Sequence, residues 1–496
     1  MNKFSFTPAT FKLLCTTLDS ILLSCRSPYV TSVDWLHVLR PHPVFLKRYD
    51  FLFSKVSRQL SQLFLDLAKN ISTFLVDFSY ALLNRNIHPP LLSVTNPPDI
   101  IFVTHLLDGS HLDKSTDFYY GDLGESLSQD GISVLFLCIN HTKSPFRHLR
   151  EMSRSTRYDR LILPVGRDSL YLLFSSLCWS LKSFIQLLYC LPRSRTYSHF
   201  LAVLFAASNS FSRGTRLSFF LQHYLNKIIQ PNTKGLVSTY EGFAWERIVF
   251  STCHDLNPSI STFGYMHALV FKDQHSVFRR LDKRYEPRYI LTAGTTPREY
   301  LLKNLGLSES TVFELGSPRS ICSSTASHQS SLPSSSPTIL VLPEGILEEC
   351  LLLFRFSLKC ALINPTVTFR WRTHPLISLE SVASIISCDF TLPPNIVVSE
   401  TSFDSDIFAS QYCLYRGSTA VVTAASSGLI PIYYKVSDFP DTDPLFCLSS
   451  YRPTVSKSSS FSNALHWSSW NSHAINLCQQ LYTPLNSNLF AKHEIL

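Results

Sequence analysis

Three short motifs in the second half of the chain carry side chains that could bind or transfer a charged group. Glu344 and Gly345 follow the apolar stretch TILVL, His374 and Pro375 follow TVTFRW, and a Gly-Ser-Thr triplet at 417–419 follows YCLY. A carboxylate, an imidazole and hydroxyl groups beside backbone N–H groups could together hold a phosphate and move a proton. The motifs therefore predict an anion site with acid–base chemistry.

The apolar stretches before these motifs are typical of parallel β-strands. Pro375 ends its strand, because it lacks an N–H and holds the preceding residue in an extended conformation. Parallel strands end at one edge of their sheet, where α/β proteins bind ligands. We therefore expect Glu344, His374 and residues 417–419 to face one cleft, with the Arg372 guanidinium offsetting the charge of a phosphate.

Each motif also has a simpler explanation when it is taken alone. A single acid before a helix is commonly a capping charge, and Gly-Ser-Thr before a helix is an ordinary cap. A second His-Pro pair, in the stretch RPHP at Arg40–Pro43, lies in a segment that we expect to be inert. Two Asp-x-Asp stretches, at 404–406 and 441–443, are expected to be solvated loop charges. The order of the three motifs, each at a strand end, nevertheless favours a site.

Two series of strand and helix patterns predict two domains. Residues 1–95 read as a helical extension, and residues 96–319 as a first Rossmann-like unit with a helical insertion at about 169–229. Residues 320–337 have almost nothing to bury and read as a serine-rich linker. The pattern starts again in residues 338–496. We therefore expect an α/β architecture in which two Rossmann-like domains face a central cleft.

Composition limits the class of partner. The chain has 496 residues, of which 45% are hydrophobic, which fits a globular protein with more than one core. Lys and Arg number 44 against 36 Asp and Glu, giving a net charge of +8, which suits an anionic small ligand or membrane surface and not a nucleic acid. Thirteen scattered cysteines without a C-x-x-C pair, and no secretory signal pattern, predict a cytoplasmic location.

One apolar stretch, Ser169 to Leu191, is long enough to cross a membrane. Its serines and Lys182 would be costly in the bilayer core. A buried core helix is therefore the first interpretation. Peripheral contact with the inner face of the membrane is the alternative.

The first domain also has polar side chains after its strands. Glu241 follows the strand pattern GLVST closely, and His267 follows STFGYM, so either side chain could take a proton from a substrate hydroxyl. Asp122 is a third, weaker candidate. The simpler explanations are a helix-capping charge for Glu241 and a buried core histidine for His267.

Glu-Gly after one strand, His-Pro after the next and a Ser/Thr pair before a later helix resemble a known family. This is the C-terminal domain of GT-B glycosyltransferases that use CMP-activated sugars, of the bacterial sialyl-, polysialyl- and Kdo-transferase type. The stretches YRGSTAVV and LTAGTTPREY are also similar to segments of bacterial surface-polysaccharide proteins, such as those of capsule or lipopolysaccharide biosynthesis. The resemblance covers about 235–435, and this chain has one acid, in Pro343-Glu344-Gly345, where two often stand.

The resemblance implies a metal-independent, inverting sugar transfer without a cofactor, from a CMP-linked donor to a cell-surface glycan or lipid-linked precursor. It places His374 at the leaving phosphate and makes Glu344 the base, with Glu241 as the alternative. The implied nucleotide-binding residues are Gly345, Arg372, Pro375, Arg416, Gly417, Ser418 and Thr419, and His267 and Asp122 would bind the acceptor. Two alternatives remain: a GT-B transferase with a UDP-sugar or CDP-polyol donor, and a non-catalytic glycan- or nucleotide-binding protein of a polysaccharide assembly complex.

Overall fold

The structure is a computed structural model of the chain. It describes residues 6–83, 97–107, 116–141, 159–163, 168–194, 196–320, 336–375, 377–386, 392–437 and 439–492. Two parallel β-sheets dominate it, one on each side of the serine-rich stretch. Residues 321–335, most of the predicted linker, lie outside the described residues, so its boundaries stay a prediction.

The first sheet has seven strands in the order β3-β2-β1-β4-β5-β6-β7, and every neighbouring pair is parallel. The strands are β1 Ile100–Leu106, β2 Val134–Asn140, β3 Asp159–Leu163, β4 Gly235–Thr239, β5 Ser261–Met266, β6 Tyr289–Thr292 and β7 Val312–Glu314. Alternate residues of β1 enter different cores: Ile101 and Val103 lie in one, Ile100 and Phe102 in the other. Both faces of the sheet are therefore covered, which explains its nearly continuous apolar strands.

The second sheet has six parallel strands in the order β10-β9-β8-β11-β12-β13. The strands are β8 Thr338–Leu342, β9 Thr368–Trp371, β10 Ile396–Val398, β11 Tyr412–Tyr415, β12 Ile430–Tyr434 and β13 Thr454–Val455. Counted from its own first strand, each sheet contains the order 3-2-1-4-5-6 of a doubly wound fold. The chain order reverses beside β1 and β4 in one sheet and beside β8 and β11 in the other. These two switch points are where such folds bind ligands.

Helices cover the sheets and form the extension and the insertion. They are α1 Pro8–Cys25, α2 Pro28–Thr31, α3 Pro43–Leu46, α4 Val56–Leu83, α5 Leu123–Gln129, α6 Asp168–Leu188, α7 Tyr197–Asn209, α8 Arg213–Ile228, α9 Ala244–Leu256, α10 His275–Phe278, α11 Thr295–Leu305, α12 Leu347–Ile363, α13 Leu379–Ile386, α14 Phe403–Phe408, α15 Ala420–Ser426, α16 Phe461–Ala464, α17 Ser472–Gln479 and α18 Asn488–Lys492. Short 3-10 helices occupy Asp34–Leu36, Lys47–Phe53, Leu191–Arg193, Lys283–Tyr285, Phe446–Leu448 and Ser458–Ser460.

The N-terminal extension and the insertion share one hydrophobic core. Leu18 and Trp35 of the extension are buried with Leu187 and Phe205 of the insertion, and the Phe51 and Phe205 rings lie 4.0 Å apart. The extension is also tied to the first domain, where the Ser276 N–H donates to the Leu39 carbonyl. The expected fold class, two Rossmann-like domains with a helical extension and insertion, is confirmed.

The end of the chain leaves the second domain and crosses back to the first. The Thr483 N–H donates to the carbonyl of Ala293, and the Asn486 N–H donates to that of Leu315. Leu489 and Phe490 are buried with Phe102 against the first sheet. The last described residues of the predicted second domain, 338–496, therefore pack in the core of the first domain.

This crossing depends on a glycine, and Gly316→Ala should damage it. Gly316 has φ +82°, and a Cβ there would overlap the carbonyl of Pro484. Gly306, with φ +61° and open space around its missing Cβ, is the matched control. Gly306→Ala should lower the free energy of unfolding by about 1–2 kcal/mol, the cost of a left-handed alanine. Gly316→Ala should lower it further, because the overlap is added. Thermal unfolding of both variants measures this, and equal midpoints would contradict it.

Candidate functional site

The three motifs of the second domain meet at its switch point. Glu344 follows β8, His374 follows β9 and Gly417 follows β11. A Cβ on Gly345 would lie 2.7 Å from Cε1 of His374, and a Cβ on Gly417 would overlap Oε1 of Glu344. Both glycines are thus needed for the close approach of these side chains. Glu344, His374 and Gly417 therefore lie close together, as the sequence predicted.

Glu344 is buried at the centre of this cluster, with 10% of its side chain exposed. Its Oε2 lies 2.7 Å from Nε2 of His42, a residue of the N-terminal extension. Its Oε1 is buried, as is the Thr442 hydroxyl, and neither has a hydrogen-bond partner among the described residues. Buried polar atoms normally have partners, so this pair of atoms marks a place for a polar ligand.

His374 is partly buried beside Glu344. Burial lowers the pKa of its imidazole, although the Glu344 carboxylate raises it. The ring is therefore neutral at neutral pH and can donate one hydrogen bond and accept another. Pro375 next to it is exposed.

The two arginines predicted to bind phosphate already have carboxylate partners. Arg372 donates to Oδ2 of Asp406 at 2.7 Å and to the Thr401 carbonyl at 2.8 Å. Arg416 donates to Oε2 of Glu349 at 2.6 Å, and both side chains of that pair are nearly fully buried. Both pairs fix the loops after β9 and β11, so these arginines shape the site from behind.

The Asp-x-Asp stretches are not solvated loop charges, so that expectation is wrong for two of their acids. Asp406 is fully buried and also accepts from Ser399. Asp443 is buried, accepts from the Tyr415 hydroxyl at 2.8 Å and pairs with Arg452. The buried position of Asp406 could not be recognised in the sequence, because its partner Arg372 lies 34 residues away.

The Gly-Ser-Thr triplet precedes α15, a helix of seven residues. Ser418 is buried and Thr419 is exposed, and the Thr419 side chain makes no capping hydrogen bond. Both lie at the same sheet edge as Glu344. Their proposed contact with a phosphate stays a prediction.

The first domain has a cavity of about 330 Å³ at its own switch point. The side chains come from the carboxyl ends of β1, β2, β4 and β5, as the parallel sheet requires. The lining residues are His105, Leu107, Tyr119, His141, Thr239, Glu241, Phe243, Glu246 and His267. Two predicted residues, Glu241 and His267, are among them, whereas Asp122 is exposed at the start of α5 and does not line the cavity.

Glu241 and His267 face each other, with His267 Nε2 and Glu241 Oε1 3.4 Å apart. Burial raises the pKa of Glu241, against the opposing effect of Arg40 and Arg319. Burial, with Arg319 and His105, lowers the pKa of His267 to about 3. His267 Nδ1 is buried and has no hydrogen-bond partner among the described residues. A neutral imidazole and a carboxylate of raised pKa are suited to binding hydroxyl groups.

Glu246, which the sequence reasoning missed, holds Glu241 in place. Its carboxylate is fully buried and accepts from the N–H groups of Glu241, Gly242 and Phe243. Burial raises the pKa of Glu246 to about 8, although these N–H donors lower it. The capping role considered for Glu241 therefore belongs to Glu246. An acid three residues after the N-cap of a helix was the available signal.

A histidine pair forms another part of the cavity wall. His105 Nδ1 lies 2.8 Å from His141 Nε2, and His105 Nε2 lies 3.3 Å from the Thr239 hydroxyl. Burial lowers the pKa of His105 to about 3 and also lowers the pKa of His141. Both rings are therefore neutral. Their positions at the ends of β1 and β2 could have identified them by the strand-end argument.

The N-terminal extension reaches the site. The prediction that the RPHP segment is inert did not account for its contact with Glu344. Arg40 lies within electrostatic reach of both Glu241 and Glu344, one from each domain. Its guanidinium carbon lies 4.0 Å from the centroid of the Phe271 ring. The signal was a repeated R-x-H-P pattern, at Arg40 and again at Arg372.

A second cavity, of about 1030 Å³, is lined mainly by the N-terminal extension and α12. Pro43 and Ile346 contribute to its lining, whereas His42 and Glu344 do not. The lining carries both basic and acidic side chains.

No family model matches the sequence, and no curated protein matches it significantly. Similar solved structures include the glycosyltransferase SnogD from Streptomyces nogalater, at TM-score 0.43 and 14% identity over 80% of this chain and 98% of that one. The glycotransferase of kitacinnamycin has TM-score 0.42 and 10% identity, over 78% and 94%. UDP-GlcNAc 2-epimerase from Neisseria meningitidis, bound to UDP-GlcNAc, has TM-score 0.40 and 11% identity, over 79% and 98%.

Similarities of this size carry no conclusion about activity. The fold follows from the chain itself, because each of its two parallel sheets contains the same doubly wound strand order. The chain thus has the GT-B type of architecture, with two Rossmann-like domains and a polar cluster at each switch point.

Proposed function

We propose that this chain is a glycosyltransferase, which moves a sugar from a nucleotide-activated donor to a cell-surface glycan or a lipid-linked precursor. One observation carries the proposal. Polar side chains meet at the switch point of each domain, Glu344 and His374 in the second domain and Glu241 and His267 in the first. Such an arrangement gives one site for an anionic donor and one for a hydroxyl-bearing acceptor, and Arg40 lies within electrostatic reach of both carboxylates.

The second domain is the proposed donor site. His374 would donate a hydrogen bond, or a proton, to the departing phosphate, with Gly417, Ser418 and Thr419 beside it. The sequence motifs favour a CMP-linked sugar, and a UDP-sugar or CDP-polyol is the alternative within the same mechanism. Arg372 and Arg416 would support these loops through Asp406 and Glu349 and add positive potential.

The first domain is the proposed acceptor site. Its neutral imidazoles and the Glu241 carboxyl group can form hydrogen bonds with sugar hydroxyls. In the transfer step Glu344 takes the proton of the acceptor hydroxyl while the oxygen of that hydroxyl attacks the anomeric carbon of the donor sugar. The bond from that carbon to the phosphate oxygen breaks, and the configuration inverts. Glu344 is the proposed base because it touches the residues that would surround the phosphate.

Nucleotide binding tests this proposal. Calorimetric titration with CMP, UDP and CDP should show binding of CMP, and His374→Ala should weaken it and lower turnover by about 10²–10⁴-fold. The exposed His254, changed to alanine, is the control. Binding of UDP or CDP alone would move the donor to the alternative class. Binding of none of the three would contradict the transferase and favour a non-catalytic glycan-binding protein.

Two substitutions separate the candidate bases. Glu344→Gln should lower turnover by about 10²–10⁴-fold and leave nucleotide affinity nearly unchanged, because it removes the proton acceptor and keeps the shape. Glu241→Gln should instead raise the KM for the acceptor. Glu309→Gln, on the surface, controls for the loss of charge. Normal turnover of Glu344→Gln with an inactive Glu241→Gln would show that the acceptor domain supplies the base.

We also propose a cytoplasmic location with peripheral attachment to the inner face of a membrane. The helix Leu170–Arg193 is long and apolar enough to cross a membrane. It is bonded into the protein, since Trp179 Nε1 donates to the Ser32 hydroxyl at 2.9 Å and the Ser27 hydroxyl donates to Gln186. These contacts favour a helix that lies on the membrane surface.

The apolar surface of this helix continues onto α4, where the Phe78 and Phe174 rings meet at 6.0 Å. The exposed large apolar side chains of α4 include Leu60, Phe64, Leu65, Leu67, Ile71, Leu75, Val76, Tyr80 and Leu82. Those of α6 include Tyr171, Phe174, Leu181 and Ile185, and Tyr189, just after α6, is also exposed. Arg58, Lys69 and Lys182 are exposed on the same helices. Exposed apolar and aromatic side chains with bordering cations match an anionic lipid surface.

Sedimentation with phosphatidylserine-containing vesicles tests the attachment. The wild-type chain should sediment with them, and Phe64→Glu combined with Tyr189→Glu should remove most of the binding, because charges replace inserted rings. Leu362→Glu, at an exposed apolar position of the second domain, is the matched control. In cells, alkaline carbonate should release the protein. Extraction by detergent alone would contradict peripheral attachment and indicate a true span.

A further inference from the structure

The Arg40–Pro43 segment repeats the R-x-H-P pattern of residues 372–375, and both imidazoles lie at Glu344. We propose that this segment is part of the active site, with His42 as the positioning residue of Glu344 and Arg40 as a cation available to the donor phosphate. The inference rests on the proposed function, because it takes Glu344 as the base.

The hydrogen bonds of His42 define its tautomer. Its Nδ1 accepts from the backbone N–H of Val44 at 3.4 Å, so the proton of the neutral ring is on Nε2. Nε2 therefore donates to Oε2 of Glu344, at 2.7 Å. This bond fixes one carboxylate oxygen and leaves Oε1, next to Gly417, for a substrate hydroxyl.

The backbone holds this imidazole in place. His42 stands between Pro41 and Pro43 and is the N-cap residue of α3. The proline rings restrict φ on both sides of it, and Pro43 is favourable at the first position of a helix. The Leu39 carbonyl, three residues earlier, accepts from the Ser276 N–H. The segment is thus anchored to the first domain while its histidine contacts the second.

Arg40 carries a positive charge close to the polar clusters of both domains. Glu241 and Glu344 are carboxylates of different domains, with 26% and 10% of their side chains exposed. Arg40 interacts with both, and Phe271 covers its guanidinium. Its Nε is buried and has no hydrogen-bond partner among the described residues. The same cation is available to a donor phosphate that enters between them.

The charged and titratable groups that face Glu344 are Arg40, His42, Glu349, His374 and Arg416. Glu349 and Arg416 are paired with each other. His42 makes a direct hydrogen bond to the Glu344 carboxylate, at 2.7 Å. Its removal should therefore disturb the orientation of that carboxylate.

His42→Ala, His42→Gln and the control His254→Ala test the positioning role. His42→Ala should lower kcat by about 10²-fold with little change in nucleotide affinity, because the base loses its fixed orientation. Glutamine has an amide N–H of similar reach, so His42→Gln should recover most of the rate.

Arg40→Ala should weaken nucleotide binding by about tenfold or more, and Arg40→Lys should recover part of it, with Lys12→Ala as the control. His42→Ala with the wild-type rate, or His42→Gln as impaired as His42→Ala, would overturn the inference while the transferase stands. A wild-type chain without turnover on any nucleotide-sugar would overturn the proposed function and the inference together. If His42→Ala does not fold, His42→Asn, whose shorter side chain cannot reach Glu344, replaces it in the comparison.

Discussion

An ionised carboxylate stays buried only when a cation or hydrogen-bond donors accompany it, and Glu344, with 10% of its side chain exposed, depends on such partners. Glu241 and Glu344 come from the ends of β4 and β8, one from each sheet. Each has a charged neighbour in its own domain, Arg319 for Glu241 and Arg416 for Glu344. The N-terminal extension adds two further groups, because Arg40 lies within electrostatic reach of both carboxylates and His42 donates a hydrogen bond to Glu344.

Both sheets place polar side chains at a switch point because they have the same topology. A doubly wound sheet opens a crevice where the chain reverses its direction of strand addition. Here that crevice receives Glu344 and Gly417 in one domain, and His105 and Glu241 in the other. The crossing of the C-terminal residues back onto the first sheet, through Gly316 and Thr483, ties the domains together at another point.

Further carboxylates act behind the site. Glu246 bonds the N–H groups of the turn that carries Glu241, and Asp406 and Glu349 hold the arginines of the strand-end loops. These buried acids give the loops a fixed shape, because each would leave buried N–H groups or an arginine without a partner if the loop moved. The side chains that face the cleft can therefore remain partly unpaired, as Glu344 Oε1 and His267 Nδ1 are among the described residues.

The sequence by itself determined the strands, their parallel class and the residues at their ends. Runs such as TILVL and IIFVTHL are apolar because both faces of a parallel sheet are buried, and a side chain just past such a run must lie at the ligand edge. Glu344, His374, Glu241 and His267 were found in this way. Tertiary structure alone decided which distant residues join them. Arg372 meets Asp406 and His42 meets Glu344 across 34 and 302 residues, and no local pattern encodes a contact that forms only when separate elements pack.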